Sequence, residues 1–186
     1  MTKMTKRKFV VADPGLCIGC KTCMAACLCK HDTVEDNAIP RLNLVTTLRV
    51  SVPVVCHHCI DAPCVASCPT GALYADELCV GVRNDRCIGC RNCILACPYG
   101  AIDVVTHTST EFFGDLLIGG NQKSMVVKCD LCTDSPKGPA CIDACPTKGL
   151  MLVDQEFLEA ESERKRMEAA RTTGSFSSVT LNSALS

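Results

Sequence analysis

The sequence predicts an α+β fold in which one small module occurs twice, followed by a C-terminal helix and an extended tail. Sixteen of the 18 cysteines in the 186 residues form four groups of four, and the groups alternate between two spacings. Short apolar or β-branched runs alternate with the turns that carry these cysteines, as in a fold of short strands and helices. We therefore expect repeats at about 9–74 and 79–153 within one domain, 1–153, and a separate segment, 154–186.

The order of the cysteine groups indicates an internal duplication. The first group begins Cys17-Ile-Gly-Cys-Lys-Thr-Cys, and the third begins Cys87-Ile-Gly-Cys-Arg-Asn-Cys. The second and fourth groups share a different pattern that ends Cys-x3-Cys-Pro-Thr. Such self-similarity at a fixed period is the signature of a repeat. The four groups are Cys17, Cys20, Cys23 and Cys27; Cys56, Cys59, Cys64 and Cys68; Cys87, Cys90, Cys93 and Cys97; and Cys129, Cys132, Cys141 and Cys145.

Each repeat should contain strands on either side of short helices. The predicted strands are apolar or β-branched and are bounded by Gly, Pro, Asp or Asn. They lie at 9–12, 42–50, 78–82, 101–105, 125–128 and 150–153. The predicted helices lie where the third and fourth cysteines of a group must be one turn apart, at 22–30, 64–68, 92–97 and 140–145.

The spacing of the cysteines is typical of iron–sulfur ligands. Three cysteines on a tight loop, then a fourth that Pro follows, form the ligand run of bacterial [4Fe–4S] ferredoxins. Pro69, Pro98 and Pro146 follow the fourth cysteine in three of the groups. Zinc sites more often consist of two separate Cys-x2-Cys pairs. Each half thus resembles a two-cluster ferredoxin, and sixteen thiolates predict four [4Fe–4S] clusters.

The composition agrees with a fold built around clusters. Without its cysteines the hydrophobic share falls from 47% to roughly 37%, and the chain has no Trp. Because the apolar core is small, folding should be coupled to cluster insertion. The formal charge of −1 would become about −9 with four clusters bound. This charge and the lack of a basic stripe argue against a nucleic-acid partner.

The sequence favours a cytoplasmic location. The N-terminus has no apolar segment typical of a signal peptide, and no window has the length of a membrane span. Disulfides are rare in the cytoplasm, so the cysteines are expected to bind metal. Because oxygen destroys exposed clusters, we expect an anaerobic setting.

The residues leave the assignment of the fourth ligands open. In two-cluster ferredoxins, the fourth cysteine of one run binds the cluster of the other run. Within each half, Cys27 would then join the second group and Cys68 the first, and the third and fourth groups would exchange likewise.

A family resemblance implies a different, nested exchange. Residues 9–153 resemble the four-cluster ferredoxin-type subunits of molybdopterin oxidoreductases and of formate–hydrogen complexes. In that family the outer groups exchange with each other, and so do the inner groups. Carried onto this chain, the sets are Cys17, Cys20, Cys23 and Cys145; Cys129, Cys132, Cys141 and Cys27; Cys56, Cys59, Cys64 and Cys97; and Cys87, Cys90, Cys93 and Cys68.

Within that family, the chain is most similar to the small iron–sulfur subunits of formate hydrogenlyase and of hydrogen-dependent carbon dioxide reductase. The similarity rests on Phe9-Val-Val-Ala-Asp, Cys56-His-His-Cys-Ile-Asp-Ala-Pro-Cys and Lys128-Cys-Asp-Leu-Cys, and on the absence of Pro after Cys27. It implies a non-catalytic subunit that relays single electrons between a hydrogenase and a formate dehydrogenase. The alternatives are a subunit of another molybdopterin oxidoreductase, a freely diffusing polyferredoxin or a maturation factor. The sequence contains no recognisable catalytic triad, phosphate loop, or flavin or molybdopterin motif.

Several residues near the groups have further expected roles. Gly19 and Gly89 should allow the backbone to wrap around a cluster. His57 and His58 should adjust hydrogen bonding beside a cluster. Cys29 and Cys79 fall outside the groups and should be small buried hydrophobic side chains.

Two segments outside the repeat are candidates for binding partners. Residues 107–124 form an insertion with an apolar middle, which we expect to be a docking surface or a cover over a cluster. Residues 154–171 should form a surface helix, and 172–186 a tail. Helix and tail should bind a partner subunit or a second copy of the chain. The resemblance to the carbon dioxide reductase subunits makes a filamentous array one expected form of this self-association.

Overall fold

The structure is a computed structural model that describes the backbone of residues 7–31, 39–113 and 116–180, and their side chains outside 108–121 and 173–180. The chain forms two compact units, Met1–Leu152 and Val153–Ser186. The division lies one residue before the boundary that the sequence predicts.

Short strands and helices follow one another in a similar order in the two halves of the chain before the C-terminal helix, and the second half has an additional 3-10 helix. The elements of the first half are β1 (Lys8–Ala12), α1 (Thr22–His31), β2 (Asn43–Thr46), β3 (Ser51–Val54), α2 (Pro63–Ala66) and β4 (Leu73–Ala75). Those of the second half are β5 (Val80–Val82), a 3-10 helix (Asn84–Arg86), α3 (Asn92–Ala96), β6 (Asp103–Phe113), β7 (Leu116–Val127), α4 (Ala140–Asp143) and β8 (Leu150–Asp154). Helix α5 (Gln155–Thr180) follows.

The halves are connected by pairing between their ends. Strand β1 pairs with β8, and β4 pairs with β5, whereas β2–β3 and β6–β7 are antiparallel hairpins within one half. The helices follow the same rule, because α1 packs against α4 and α2 against α3. The first strand of the first half, β1, therefore does not pair with the last strand of that half, β4. The outer elements of the sequence pair with each other (β1 with β8, α1 with α4), and so do the inner ones (β4 with β5, α2 with α3).

Proline sets the length of the cysteine-bearing helices. Helices α2, α3 and α4 have four or five residues and end just before a Cys-Pro pair, because the residue before Pro avoids the helical conformation. In the first group Leu28 takes the place of Pro, and α1 continues for ten residues to Lys30 and His31. These basic side chains suit the negative end of the helix dipole. All four predicted helices are confirmed, with small shifts at their ends.

The apolar interior consists of two small clusters that include cysteines. One contains Val10, Leu42, Val55 and Leu150 with buried thiols of the first, second and fourth groups. The other centres on Leu73, Val80, Ile102 and Val126, with thiols of the second and third groups. Neither resembles the large core of a conventional domain of this size, which agrees with the low apolar content of the sequence.

The predicted insertion at 107–124 is not a loop. Strands β6 and β7 form a long antiparallel hairpin whose register runs from Asp103 opposite Val127 to Phe113 opposite Leu116. A register shift lies between Glu111 and Phe112. Threonine-rich segments favour strands despite their polarity, and this preference was missed. Residues 114–115 lie outside the described residues.

Two further strands were not predicted as such. The predicted strand 42–50 is in fact β2 followed by a turn, because Thr47 N–H donates to Val50 O over 2.8 Å and the chain returns as β3. Strand β4 was not anticipated, since Leu73–Ala75 has only three residues.

Helix α5 extends beyond its predicted end. It begins after Asp154, whose carboxylate accepts a 3.0 Å hydrogen bond from Phe157 N–H, as an N-cap residue does. Arg164 pairs with Glu161 at 2.7 Å and with Glu168 at 3.1 Å. The Arg164 guanidinium lowers the pKa of Glu161 to about 2. The prediction of an extended tail is wrong for 172–180, which are helical, and 181–186 lie outside the described residues.

In the part of the chain that the structure describes, no helix is both long and apolar enough to cross a membrane.

Candidate metal centres

The thiols of the four groups come together in four sets, each with three cysteines of one group and the fourth cysteine of another. Each set is named below after the cysteine that comes from the other group. Two sets line open clefts. The Cys27 set is buried, and the Cys97 set is half buried.

The Cys145 set lies in an open cleft of about 360 Å³ that Cys17, Cys20, Cys23 and Cys145 line together. The Thr22 hydroxyl donates to Cys20 Sγ at 3.3 Å and lowers the pKa of Cys20, while the Cys145 thiolate acts in the opposite direction. Cys20 and Cys145 therefore lie close enough to interact although 125 positions separate them.

The Cys68 set occupies a second cleft, of about 300 Å³, lined by Cys68, Cys87, Cys90 and Cys93. Burial raises the pKa of Cys93, and the thiolates of Cys68 and Cys87 add to this shift. This cleft is the counterpart of the first in the second half of the chain.

The Cys97 set is more deeply placed and consists of Cys56, Cys59, Cys64 and Cys97. Burial, followed by the thiolates of Cys56 and Cys97, raises the pKa of Cys64 to about 11. The same three causes raise the pKa of Cys59. Cys97, the last cysteine of the third group, thus faces the thiols of the second.

The Cys27 set consists of Cys27, Cys129, Cys132 and Cys141. Burial raises the pKa of Cys141 to about 12, with further contributions from the thiolates of Cys27 and Cys132. Burial likewise raises the pKa of Cys129 to about 12. Such thiols are protonated at neutral pH, so a metal must displace their protons in order to bind.

The four sets suit a [4Fe–4S] cluster in the chemistry of their donors. Soft thiolates are the ligands that iron–sulfur clusters require, four to each cluster. A bound cluster supplies a one-electron redox centre. In every set the chain brings four thiols together from parts of the sequence that are far apart.

The backbone turns in the same way before the second cysteine of every group. Gly19, His58, Gly89 and Leu131 have φ values of 71°, 45°, 72° and 61°. This left-handed conformation turns successive N–H groups towards the inside of a loop, where they can bind negative charge. Two of the four positions use a residue other than glycine, at a conformational cost.

Glycine at 19 and 89 also allows a close approach of the hairpins. A Cβ atom at Gly89 would lie 2.4 Å from Ser124 Oγ in β7, and one at Gly19 would lie 3.1 Å from Ser51 Oγ in β3. Both glycines thus serve the loop conformation that the sequence predicts. They also leave room for a serine of a neighbouring hairpin, which the sequence did not reveal.

Hydroxyl groups recur beside the fourth cysteine of the second and fourth groups. Thr70 Oγ1 lies 3.7 Å from Cys68 Sγ, and Thr147 Oγ1 lies 3.5 Å from Cys145 Sγ. The Thr147 hydroxyl is the main cause that lowers the pKa of Cys145. The repeated Cys-Pro-Thr sequence therefore supplies a hydrogen bond to sulfur, in addition to the turn that Pro makes.

Charged and polar contacts join the residues that follow the first group to the fourth group. Lys30 Nζ forms an ion pair with Asp134 Oδ2 at 2.6 Å. His31 Nε2 lies 3.4 Å from Asp130 Oδ1, and burial lowers the pKa of His31, which favours its neutral ring. Arg41 also pairs with Asp130. Sequence reasoning missed this network, although Asp130 stands within the Cys-Asp-Leu-Cys motif of the fourth group.

The two adjacent histidines have different environments. The His57 ring stacks between Phe9, at 4.8 Å between ring centroids, and Tyr99, at 3.8 Å. His58 is 1% exposed, and its Nδ1 accepts a 3.1 Å hydrogen bond from Val80 N–H. Burial lowers the pKa of His58 to about 3, so its ring is neutral. Among the described residues, none forms a hydrogen bond with His58 Nε2.

The two cysteines outside the groups also differ. Cys29 is exposed on α1, so the expectation of a buried side chain is wrong for it. Cys79 is partly buried, and burial raises its pKa.

Three matches to protein-family models cover the four cysteine groups. Residues 48–112 and 86–149 each match a model described as a 4Fe-4S dicluster domain. Residues 14–30 match a 4Fe-4S binding domain. The first unit thus consists of tandem 4Fe-4S domains with short helices and small two-stranded sheets.

Whole-length relatives agree with these matches. The chain is 41% identical over 170 residues to the electron transport protein HydN of Escherichia coli K12, covering 88% of this chain and 97% of HydN. It is 37% identical to hydrogenase-4 component A of the same strain, over 88% of this chain and 90% of that protein. It is 36% identical to formate hydrogenlyase subunit 2, over 86% and 88% of the two chains.

Proposed function

This chain belongs to the family of 4Fe-4S electron-transfer subunits that includes HydN and formate hydrogenlyase subunit 2, and we propose that it carries electrons in formate–hydrogen metabolism. In this role it is a non-catalytic subunit that relays single electrons between a hydrogenase and a formate dehydrogenase-type subunit. The names of the relatives support this role, since they belong to electron-transport, hydrogenase and formate hydrogenlyase proteins.

We propose that the four thiol sets hold four [4Fe–4S] clusters with the nested ligands that the family resemblance implies. The grouping of three thiols with a fourth from another group is the observation that carries this proposal. The pairing of β1 with β8 and of β4 with β5 supports it, because it brings the ends of the two halves together in the same nested order. The chain is then a duplicated ferredoxin whose halves are joined by metal ligands as well as by strands.

The placement of the sets supports a linear order of clusters. The Cys68 and Cys145 sets include exposed thiols, at Cys90 and Cys20, whereas the other two sets include none. The Cys56 thiolate of the Cys97 set, together with burial, raises the pKa of Cys129 in the Cys27 set, so these two inner sets are neighbours. The Cys23 thiolate of the Cys145 set raises the pKa of Cys141 in the same way, so the Cys145 and Cys27 sets are neighbours. The proposed order is the Cys68 set, the Cys97 set, the Cys27 set and the Cys145 set.

The two ends of this order offer apolar surface for partner subunits. Ile18 is 68% exposed beside Cys20, and Ile88 is 66% exposed beside Cys90. Leu95, on the helix of the third group, is 88% exposed. Apolar side chains around an exposed redox site are suited to docking another protein, since a contact there also excludes water.

The C-terminal unit is proposed to mediate assembly. Helix α5 exposes Phe157, Leu158 and Met167 among its charged residues. We propose that it binds a partner subunit or a second copy of the chain, in an oligomeric or filamentous array located in the cytoplasm.

Anaerobic iron and sulfide analysis tests the proposal most directly. Four clusters predict about sixteen iron and sixteen sulfide ions per chain, and a protein with far fewer after reconstitution would contradict it. Replacing Cys90 by serine should then slow electron transfer between two purified partner proteins without changing the activity of either partner alone. Unchanged transfer through this variant would show that the Cys68 set is not on the route.

A further inference from the structure

Lys128 is a buried lysine that has no carboxylate partner among the described residues. Its side chain is only 3% exposed, and it follows the last residue of β7. Its Nζ donates to the carbonyl oxygens of Val80 and of Cys129, the latter at 2.7 Å. In the described part of the chain, Lys128 forms no ion pair with Asp or Glu. An ammonium that uses carbonyl groups alone is an unusual interior group.

A buried charge of this kind requires compensation. Moving an ammonium group out of water carries a large desolvation penalty, and lysine is almost never fully buried unless it is paired. Two carbonyl dipoles replace part of the lost hydration. Negative charge close to Nζ in the functional protein would supply further compensation.

The contacts of Lys128 lie beside both inner sets. Its Nζ donates to the carbonyl oxygen of Cys129, a member of the Cys27 set. Val80, the other carbonyl partner, packs in one apolar cluster with Cys64 of the Cys97 set. The Lys128 ammonium also acts against the effect of burial, which raises the pKa of Cys64, of Cys129 and of Cys79.

Rigid elements hold the ammonium in this place. Val80 in β5 accepts a hydrogen bond from Lys128 through its carbonyl group and donates one to His58 through its N–H group. Val80 is 1% exposed and is paired with Ala75 of β4. The neutral His58 ring adds no charge. Arg7 also donates to the carbonyl oxygens of Cys59 and Ile60, but it is only partly buried. Among the described residues, Lys128 is thus the fully buried cation of this region.

Building on the proposed four-cluster function, we propose that the Lys128 ammonium is the internal counter-charge of the two inner clusters and makes them easier to reduce. Reduction adds one negative charge to a cluster, and a fixed cation in a region of low dielectric constant stabilises that charge. The potential of a cluster depends on nearby charge and hydrogen bonding. Lys128 is thus a tuning residue and not a ligand.

Glutamine at position 128 separates charge from hydrogen bonding, because its amide can still donate to two carbonyl groups. In Lys128→Gln, the equilibrium constant for one-electron reduction of an inner cluster should fall at least tenfold, which is a midpoint about 59 mV more negative. Lys128→Arg keeps the charge and should stay closer to the wild type. Lys123→Gln removes the same charge from an exposed position on β7 and should leave the midpoints unchanged.

The measurement is an anaerobic redox titration of the purified whole chain followed by electron paramagnetic resonance, with iron content determined on the same samples. Unchanged midpoints in a fully loaded Lys128→Gln protein would overturn the inference. If Lys128→Gln loads no inner cluster, loading of Lys128→Arg supports the inference, and failure of both variants contradicts it. A wild-type chain without iron would instead contradict the proposed function itself.

Discussion

Replacing Cys64 and Cys97 together by alanine should remove one cluster, whereas replacing Cys97 and Cys141 together should remove two. The nested sets place Cys64 and Cys97 on one cluster and Cys141 on another. Exchange within each half would instead place Cys97 with Cys141. The two double variants therefore distinguish the schemes through iron content alone.

The expected magnitudes follow from the neighbours of each thiol. The Cys97 thiolate, together with burial, raises the pKa of Cys64. The thiolates of Cys27 and Cys132, together with burial, raise the pKa of Cys141. With four iron ions per cluster, the Cys64/Cys97 variant should retain about 12 of 16 iron ions. The Cys97/Cys141 variant should retain about 8.

The assay is iron and sulfide quantification on anaerobically reconstituted protein, with electron paramagnetic resonance to count the remaining clusters. Cys29→Ala provides the control, because Cys29 is exposed and lies outside every set. It should keep the full content. The opposite order, with more iron in the Cys97/Cys141 variant, would refute the nested ligands and favour exchange within each half.

Three other predictions address the loops, the sulfur hydrogen bonds and the C-terminal unit. Gly89→Ala should lower the thermal unfolding temperature more than Gly71→Ala. Both positions have positive φ, which costs a residue with a Cβ about 1–2 kcal/mol, but only at Gly89 would the new Cβ meet other atoms within 4 Å. Equal decreases in the two variants would contradict the packing argument. Thr147→Val removes the hydroxyl near Cys145 Sγ and should shift one cluster midpoint negative by up to roughly 40 mV, since a hydrogen bond contributes about 1 kcal/mol; Thr147→Ser should restore the midpoint in a redox titration. Deleting 155–186 should reduce the number of chains per assembly in anaerobic gel filtration without loss of iron. An unchanged number of chains would exclude this segment from self-association.

The local elements could be predicted from the sequence because their signals are local. The Cys-Pro pairs fix where α2, α3 and α4 end, and glycine before Cys20 and Cys90 marks a left-handed turn. The hairpin of β6 and β7 was missed because 107–124 shows no strict alternation of apolar and polar residues: an apolar middle lies between two polar ends. Its strand character depends on cross-strand pairing from Asp103 to Val127, which a single segment does not display.

The helical end of the chain was missed for a related reason. Serine and threonine after Arg171 have modest helix propensity, so the composition indicates a tail. In the structure α5 continues to Thr180, since a helix that has formed adds each further residue more easily than it begins.

The sequence by itself determined the chemistry, namely sixteen cysteines in four groups, the repeat of those groups and the kind of cofactor that they suit. Spacing along a chain fixes which three thiols share a loop, because those contacts are local. Only the tertiary structure decided which distant cysteine lies beside each loop, through the pairing of β1 with β8 and of β4 with β5. It also buried Lys128 and joined its Nζ to the carbonyl oxygens of Val80 and Cys129, since burial and the environment of a charge arise from residues far apart in the sequence and brought together by folding.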